Sequence, residues 1–335
     1  MQPYPQRKMS SMESTLQPMS TGQVLDRTFH LYRNNFLLFA GISALPPAVI
    51  LLAQTGFVLL ALISVPRMNF FAPEVMFGVG VGLVVVAYLV ALSFATGATV
   101  YAVSRVHLGH AVRIGESYKS IRPMVWRIVR IVISIAVRFI GACAVSVAAG
   151  FFPLTLMRVL GANLDPSTLK IVAWGSGIFT VLVVIVCIIW SLRLYCSYQL
   201  AVPACVLEKL GAVACLKRSR FLSKGKGVQR ILLVLFLSLI LTYALSLALS
   251  IPVFAVAMTS SLRTSASSIP IAIWQYFSSF VAGTLAGPIV TIALALLYYD
   301  ERVRKEAFDL QLMMEAMGQA NPAPSAAATA PGAIG

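Results

Sequence analysis

Two arginines stand inside otherwise apolar stretches of this sequence: Arg138 in RIVRIVISIAVRFIG and Arg193 in VIVCIIWSLRLY. A guanidinium in hydrocarbon is costly. It marks either a ligand site or a side chain long enough to reach the headgroups, and both readings stay open here. Arg127, Arg130 and Arg138, at i, i+3 and i+11, share one helical stripe. Their forked donors suit the phosphate of a lipid or a lipid-derived anion. A structural pairing would draw on Glu208 or Asp300 instead. Lys217, Arg220 and Lys224 form a second basic face at helical spacing, and Leu210, Val213 and Leu216 are spaced to form an apolar stripe. That pattern fits a helix lying in the membrane interface with its cations toward headgroups. The candidate anion- or lipid-binding residues are therefore Arg127, Arg130, Arg138, Arg193, Lys217, Arg220 and Lys224.

Other chemistries find little support. No Asp or Glu occupies the middle of an apolar run, which argues against a proton relay through the membrane. His30, His107 and His110 all lie outside the runs, and no acid or cysteine completes a metal site around them. Trp174-Gly175-Ser176-Gly177 has the Gly–Ser character of an intramembrane serine protease, but no apolar run carries the histidine base that such a nucleophile needs. Gly78, Gly80 and Gly82 fall inside a helix and cannot cradle a phosphate. Cys143, Cys187, Cys196, Cys205 and Cys215 include no C-x-x-C pair and read as reduced structural thiols. We expect no catalytic residue, no metal and no cofactor. Gly283 and Gly287 form a G-x-x-x-G pair, a signature of close helix packing, either within the chain or between two copies of it.

The elements that hold these residues follow from composition. Hydrophobic residues make up 59% of the 335-residue chain and charged residues 11%, with a mean hydropathy of +0.87. A bilayer can solvate that much apolar surface, and lipid requires every backbone polar group to be paired within the chain. The apolar runs are unbroken, so the expected fold is all-α, a polytopic transmembrane helix bundle. Six runs reach the length of about 20 residues that a span requires, near 36–64, 75–103, 128–156, 171–202, 231–259 and 269–299. Pro46 and Pro47 should kink the first span, and Pro252 and Pro288 the fifth and sixth. Leaving aside Arg138 and Arg193, 20 lysines and arginines fall on one side of this arrangement and 4 on the other. The positive-inside bias then places both termini in the cytoplasm. The net charge of +15 is accounted for by basic loops facing anionic lipid, so membrane phospholipids rather than nucleic acid are the expected partners.

Around this six-span membrane domain (36–305) we expect a disordered N-terminal segment (1–19) and an interfacial amphipathic helix at 20–35. Ser20 and Gln23 would form its capping box, and Val24, Leu25, Thr28, Phe29 and Tyr32 its apolar face. A polar helix end and a disordered Ala/Pro-rich tail would fill 306–335. Leu108-Gly109 precedes Ser117 by the interval that separates Leu210-Gly211 from Ser219. That spacing is either an internal duplication of a span–loop–span unit or a coincidence.

The stretches MSTGQVLDRTFHLYRNNFLLFAGISALPP (19–47) and LAVPACVLEKLGAVACLKRSRFLSKGKG (200–227) carry a family resemblance. Their signatures are Gly22, Asp26, Arg27, Tyr32 and Arg33 in the first and Pro203, Glu208, Lys217-Arg218-Ser219 and Gly225 in the second. Over nearly all of 19–305 the chain resembles the bacterial membrane domain attached to some glycerophosphoryl diester phosphodiesterases. The catalytic barrel of those enzymes, typically about 250 residues, has no counterpart here. The resemblance therefore implies a stand-alone, non-enzymatic protein of the bacterial inner membrane. Its expected role is to engage phospholipid or a lipid-derived anion at the cytoplasmic leaflet. A small-solute permease or channel is a second expectation, with Gln54, Ser134, Thr180, Ser238, Thr242, Ser246 and Thr291 as candidate polar lining. A scaffold for a protein partner is a third, and a homo-oligomer is compatible with all of them.

Overall fold

A computed structural model describes residues 19–64, 73–160, 165–259, 268–306 and 314. Of the expected flanking segments 1–19 and 306–335, all but Met19, Glu306 and residue 314 lie outside the described residues. All regular structure among the described residues is helical. In chain order the helices are α1 (Thr21–Asn34), α2 (Phe36–Ser43), α3 (Leu45–Ser64), α4 (Pro73–His107), α5 (Ile114–Ile121), α6 (Val125–Leu160), α7 (Pro166–Tyr198), α8 (Ala201–Glu208), α9 (Ala212–Ser223), α10 (Lys226–Thr259) and α11 (Ser268–Glu306). A 3₁₀ turn, Arg122–Met124, joins α5 to α6. Five helical stretches are long and apolar enough to cross a membrane, and the α2–α3 pair, bent by 44°, makes a sixth if it counts as one span. The protein is a polytopic helical bundle.

The bend in the first span has a local cause. Pro46 has no N–H to give the Ile42 carbonyl four residues back. That carbonyl instead accepts the Tyr118 hydroxyl of α5 at 2.6 Å, at a residue fully buried. Tyr118→Phe should therefore leave a buried carbonyl unpaired and cost about 1–3 kcal/mol, read as a lower thermal unfolding midpoint of the purified protein. Pro252 and Pro288, in contrast, each sit inside one continuous helix. The fourth run also differs from expectation. Its helix ends at Tyr198, and residues 201–208 form the separate helix α8, which is buried from Ala201 to Val206.

Burial is concentrated at one end of the bundle. The core gathers residues 98–103 of α4, 121–131 around α5 and α6, α8, the inner face of α9 and 289–298 of α11. We call this the basic end, because the lysines and arginines of both long loops lie there. α11 is the central helix, packing on α1, α2, α3, α4 and α10. Its small residues Ala282, Ala286, Ala293 and Ala295 are almost wholly buried and let neighbouring backbones approach closely. The 39 residues of α11 rise through roughly 58 Å at about 1.5 Å each. That exceeds a hydrocarbon core of about 30 Å, so a long helical end must stand outside the bilayer.

Gly283 and Gly287 face the bent first span within the chain. A Cβ at Gly283 would lie 3.0 Å from the Pro47 ring, and one at Gly287 3.7 Å from Ser43 Cβ. The G-x-x-x-G pair is thus accounted for by an intramolecular contact.

The capping box of α1 forms as read, with Ser20 and Gln23 bonded reciprocally. The buried face of α1 is Val24, Thr28, Leu31 and Tyr32, however, and Phe29 is exposed. Docking on α11 decides which face is covered, and the Tyr32 hydroxyl donates to the Leu285 carbonyl there. The two similar loops share a short helix ahead of the next span, and Ser117 and Ser219 are both fully buried. They differ in their turns. Gly109 takes positive φ in the first loop, whereas in the second Lys209 does so, after the additional helix α8.

Candidate functional site

The cations at the basic end divide into two groups. The first is locked to carboxylates. Asp300 and Glu301, 2% and 3% exposed, close a network around Arg230. Arg230 Nη1 pairs with Asp300 Oδ2 and, at 2.9 Å, with Glu301 Oε1. Arg304 Nε reaches the same Asp300 oxygen at 2.9 Å. The other Asp300 oxygen accepts the Met19 N–H at 2.6 Å, and the Met19 carbonyl accepts from Arg230 at 2.9 Å and Arg304 at 2.7 Å. The chain entering α1 is thereby strapped to α10 and α11. Beside it, Glu208 accepts the Tyr298 hydroxyl and pairs with Arg218 at 3.1 Å and Arg302 at 3.5 Å. Arg218 and Arg302 also reach Glu306. Burial works against the charge on Arg218, but Glu306 and Glu208 more than offset it and raise its pKa.

This network corrects the expected pairing. Glu208 and Asp300 serve Arg218, Arg302, Arg230 and Arg304, not Arg138 or Arg193. The reason is reach: both acids lie in the junction of α8, α10 and α11, whereas Arg138 and Arg193 lie on the exposed side of α6 and α7. Sequence reasoning missed Arg230 and Tyr298 as members. The i,i+4 pairs Asp300–Arg304, Glu301–Lys305 and Arg302–Glu306 were the available signal.

The second group consists of the seven candidate residues. All are exposed, and among the described residues none pairs with a carboxylate. Arg127 donates to the Lys209 carbonyl at 3.2 Å and so helps close the C-terminus of α8. Arg138 folds back to Ser134 of its own helix. Its guanidinium carbon stands 5.2 Å from the centre of the Tyr198 ring, and that of Arg220 stands 5.8 Å from the same ring. The fold thus brings Arg138 of α6 and Arg220 of α9 to the same ring of α7. Arg193 is on the neighbouring turn of α7, one turn before Ser197. Arg130, Lys217 and Lys224 remain on the surrounding surface.

The expected apolar stripe of α9 needs correction. Val213 is 68% exposed, and the buried face is Cys215, Leu216, Ser219, Leu222 and Ser223. The Ser219 hydroxyl helps turn this face inward by donating to the Ser197 carbonyl at 2.8 Å, and the Ser223 hydroxyl donates to the Ser219 carbonyl at 2.7 Å. Cys215 is fully buried, and its hydrogen bond with Cys205 pushes its thiol well above the usual range, away from nucleophilic thiolate character.

A groove of about 610 Å³ begins next to Arg138. On α6 it is lined by Phe139, Cys143, Ser146, Val147, Gly150 and Phe151, which form a single 3–4 stripe. Thr180, Val184, Ile188 and Leu192 of α7 form the other wall. The helices are antiparallel and close against each other. Phe139 packs on Tyr195 with ring centres 5.1 Å apart, the Ser146 and Ser191 hydroxyl oxygens are 3.4 Å apart, and a Cβ at Gly150 would meet Val184 at 3.0 Å. From Phe139 to Phe151 the stripe runs roughly 18 Å along the axis, close to the thickness of one leaflet, about 15 Å. The permease candidates disperse: Gln54, Thr242 and Thr291 line a separate cavity, Thr180 faces the groove, and Ser238 is spent on the Val234 carbonyl.

No family model matches this chain, and neither the curated proteins nor the solved structures provide a match.

Proposed function

We propose that this protein is a non-catalytic, multi-pass protein of a bacterial inner membrane that holds an anionic phospholipid of the cytoplasmic leaflet. Both termini are cytoplasmic in this reading, as the charge bias of the loops favours. The phosphate lies between Arg138 and Arg220 at the Tyr198 ring, and one acyl chain follows the α6–α7 groove. The reading is carried by one coincidence. Cations that have no carboxylate partner among the described residues stand at the mouth of an apolar groove about one leaflet long. Lipid phosphate satisfies the guanidinium donors by charge-assisted hydrogen bonds, and the lipid tail covers apolar walls that the protein leaves open. The resemblance to the phosphodiesterase membrane domain belongs to the same proposal, as a stand-alone domain without the enzyme.

Native mass spectrometry of the full-length protein in gentle detergent tests this. Phosphatidylglycerol should be retained over phosphatidylcholine. The double variant Arg138→Ala, Arg220→Ala should lower its retention by at least about tenfold, from the loss of two charge-assisted contacts. Lys217→Ala should have little effect. Equal retention by the double variant and the parent would remove the proposal.

A further inference from the structure

Residues of α2, α3, α4, α10 and α11 line a cavity of about 290 Å³ that shares no lining residue with the α6–α7 groove. Its polar wall includes Ser43, Gln54, Thr96, Thr99, Thr242 and Ser279, and no side chain lining it is formally charged. The direction of each hydroxyl proton decides what this wall offers. Thr96 donates to the Leu92 carbonyl at 2.7 Å. Thr99, Thr242 and Ser279 each donate at 2.8 Å to the carbonyl four residues back, and Ser43 donates likewise to Phe39. A hydroxyl has one proton and two lone pairs, so these oxygens present acceptor capacity alone. Gln54 adds Oε1, a buried carbonyl oxygen with no hydrogen-bond partner among the described residues. Such an acceptor is unfavourable until a donor meets it. Tyr88, Tyr276 and Phe280 complete the wall with aromatic rings, whose faces attract cations.

We propose that this cavity binds a small alkylammonium ion, its N–H groups donating to Gln54 Oε1 and the threonine oxygens and its alkyl part resting on the aromatic rings. A bare alkali ion would leave most of the volume empty, and the five hydroxyls committed to backbone carbonyls have no proton left for an anion; the other donors on the wall are the Tyr88, Tyr276 and Thr291 hydroxyls and the Gln54 amide.

The thermal unfolding midpoint of the full-length protein, titrated with methylammonium chloride, tests the proposal. Sodium chloride at matched ionic strength and glycerol are the controls. A saturable rise is expected with methylammonium alone. Gln54→Leu should weaken the apparent affinity about tenfold, by removal of one buried acceptor. Gln54→Glu should strengthen it by about as much, because a carboxylate supplies the missing counter-charge. Thr242→Val, nearly isosteric, should weaken it severalfold, and it carries the comparison if the Gln54 variants fail to fold. No saturable rise, an equal rise with either control, or a shift of the same sign for Gln54→Leu and Gln54→Glu would overturn the assignment.

Discussion

Arg230→Ala should destabilise the protein by about 3–5 kcal/mol, the loss seen when a buried ion pair is left with one partner. The side chains of Asp300 and Glu301 are 0% and 4% exposed, and without the guanidinium Asp300 keeps only Arg304 and the Met19 N–H, and Glu301 only Lys305 at 3.5 Å. The same change frees the Met19 carbonyl and Thr21 from Arg230, so the entry to α1 should loosen with it. Arg304→Ala is the informative contrast. Its side chain is 39% exposed, and its removal leaves Arg230 in place. It should cost about 1 kcal/mol or less. Thermal unfolding of the two purified variants in one detergent gives the comparison. Equal losses would mean that Arg230 does not hold the network together.

Gly283→Leu should be the second large effect. The added Cβ would lie 3.0 Å from Cγ of Pro47, and a proline ring cannot swing aside as a long flexible side chain can. Overpacking of this kind costs about 1–3 kcal/mol or more. The bulk would also enter the cavity that Gly283 lines. Gly287→Ala should behave in the opposite way. Its Cβ would sit in ordinary contact, 3.7 Å from Ser43, and alanine in place of glycine inside a helix favours folding by up to about 1 kcal/mol. The ordering of the unfolding midpoints, alanine at 287 at or above the parent and leucine at 283 well below it, checks the packing of α11 on the first span. The reverse ordering would contradict it.

The broken first span and the continuous last one show why a proline read from sequence predicts less than its neighbours do. Pro46 frees the Ile42 carbonyl, and Tyr118 is there to take it. Pro288 lies within a helix that carries on to Glu306. The first span loses two successive backbone donors, at Pro46 and Pro47, and the last only one, and the Tyr118 hydroxyl that meets the freed carbonyl comes from packing that the local sequence does not contain.

The amino-acid sequence by itself determined that the chain forms long apolar helices. Hydrophobic content and run length are local quantities, and lipid leaves the backbone no alternative to pairing with itself. The capping box of α1 was equally legible, since it needs only Ser20 and Gln23. The seven exposed cations could be picked out by spacing. Which of them meet was decided by tertiary structure alone. Arg138 and Arg220 are 82 positions apart and come together only because α9 packs on α6 and α7 at Tyr198. The partners of Asp300 depended on the fold in the same way, because the i,i+4 pair with Arg304 can be read along one helix but the pair with Arg230 requires α10 and α11 side by side. Side-chain periodicity fixes which face a residue occupies. Only the packing of helices far apart in sequence fixes what that face meets, and here it separates the cations held by carboxylates from those with no carboxylate partner among the described residues.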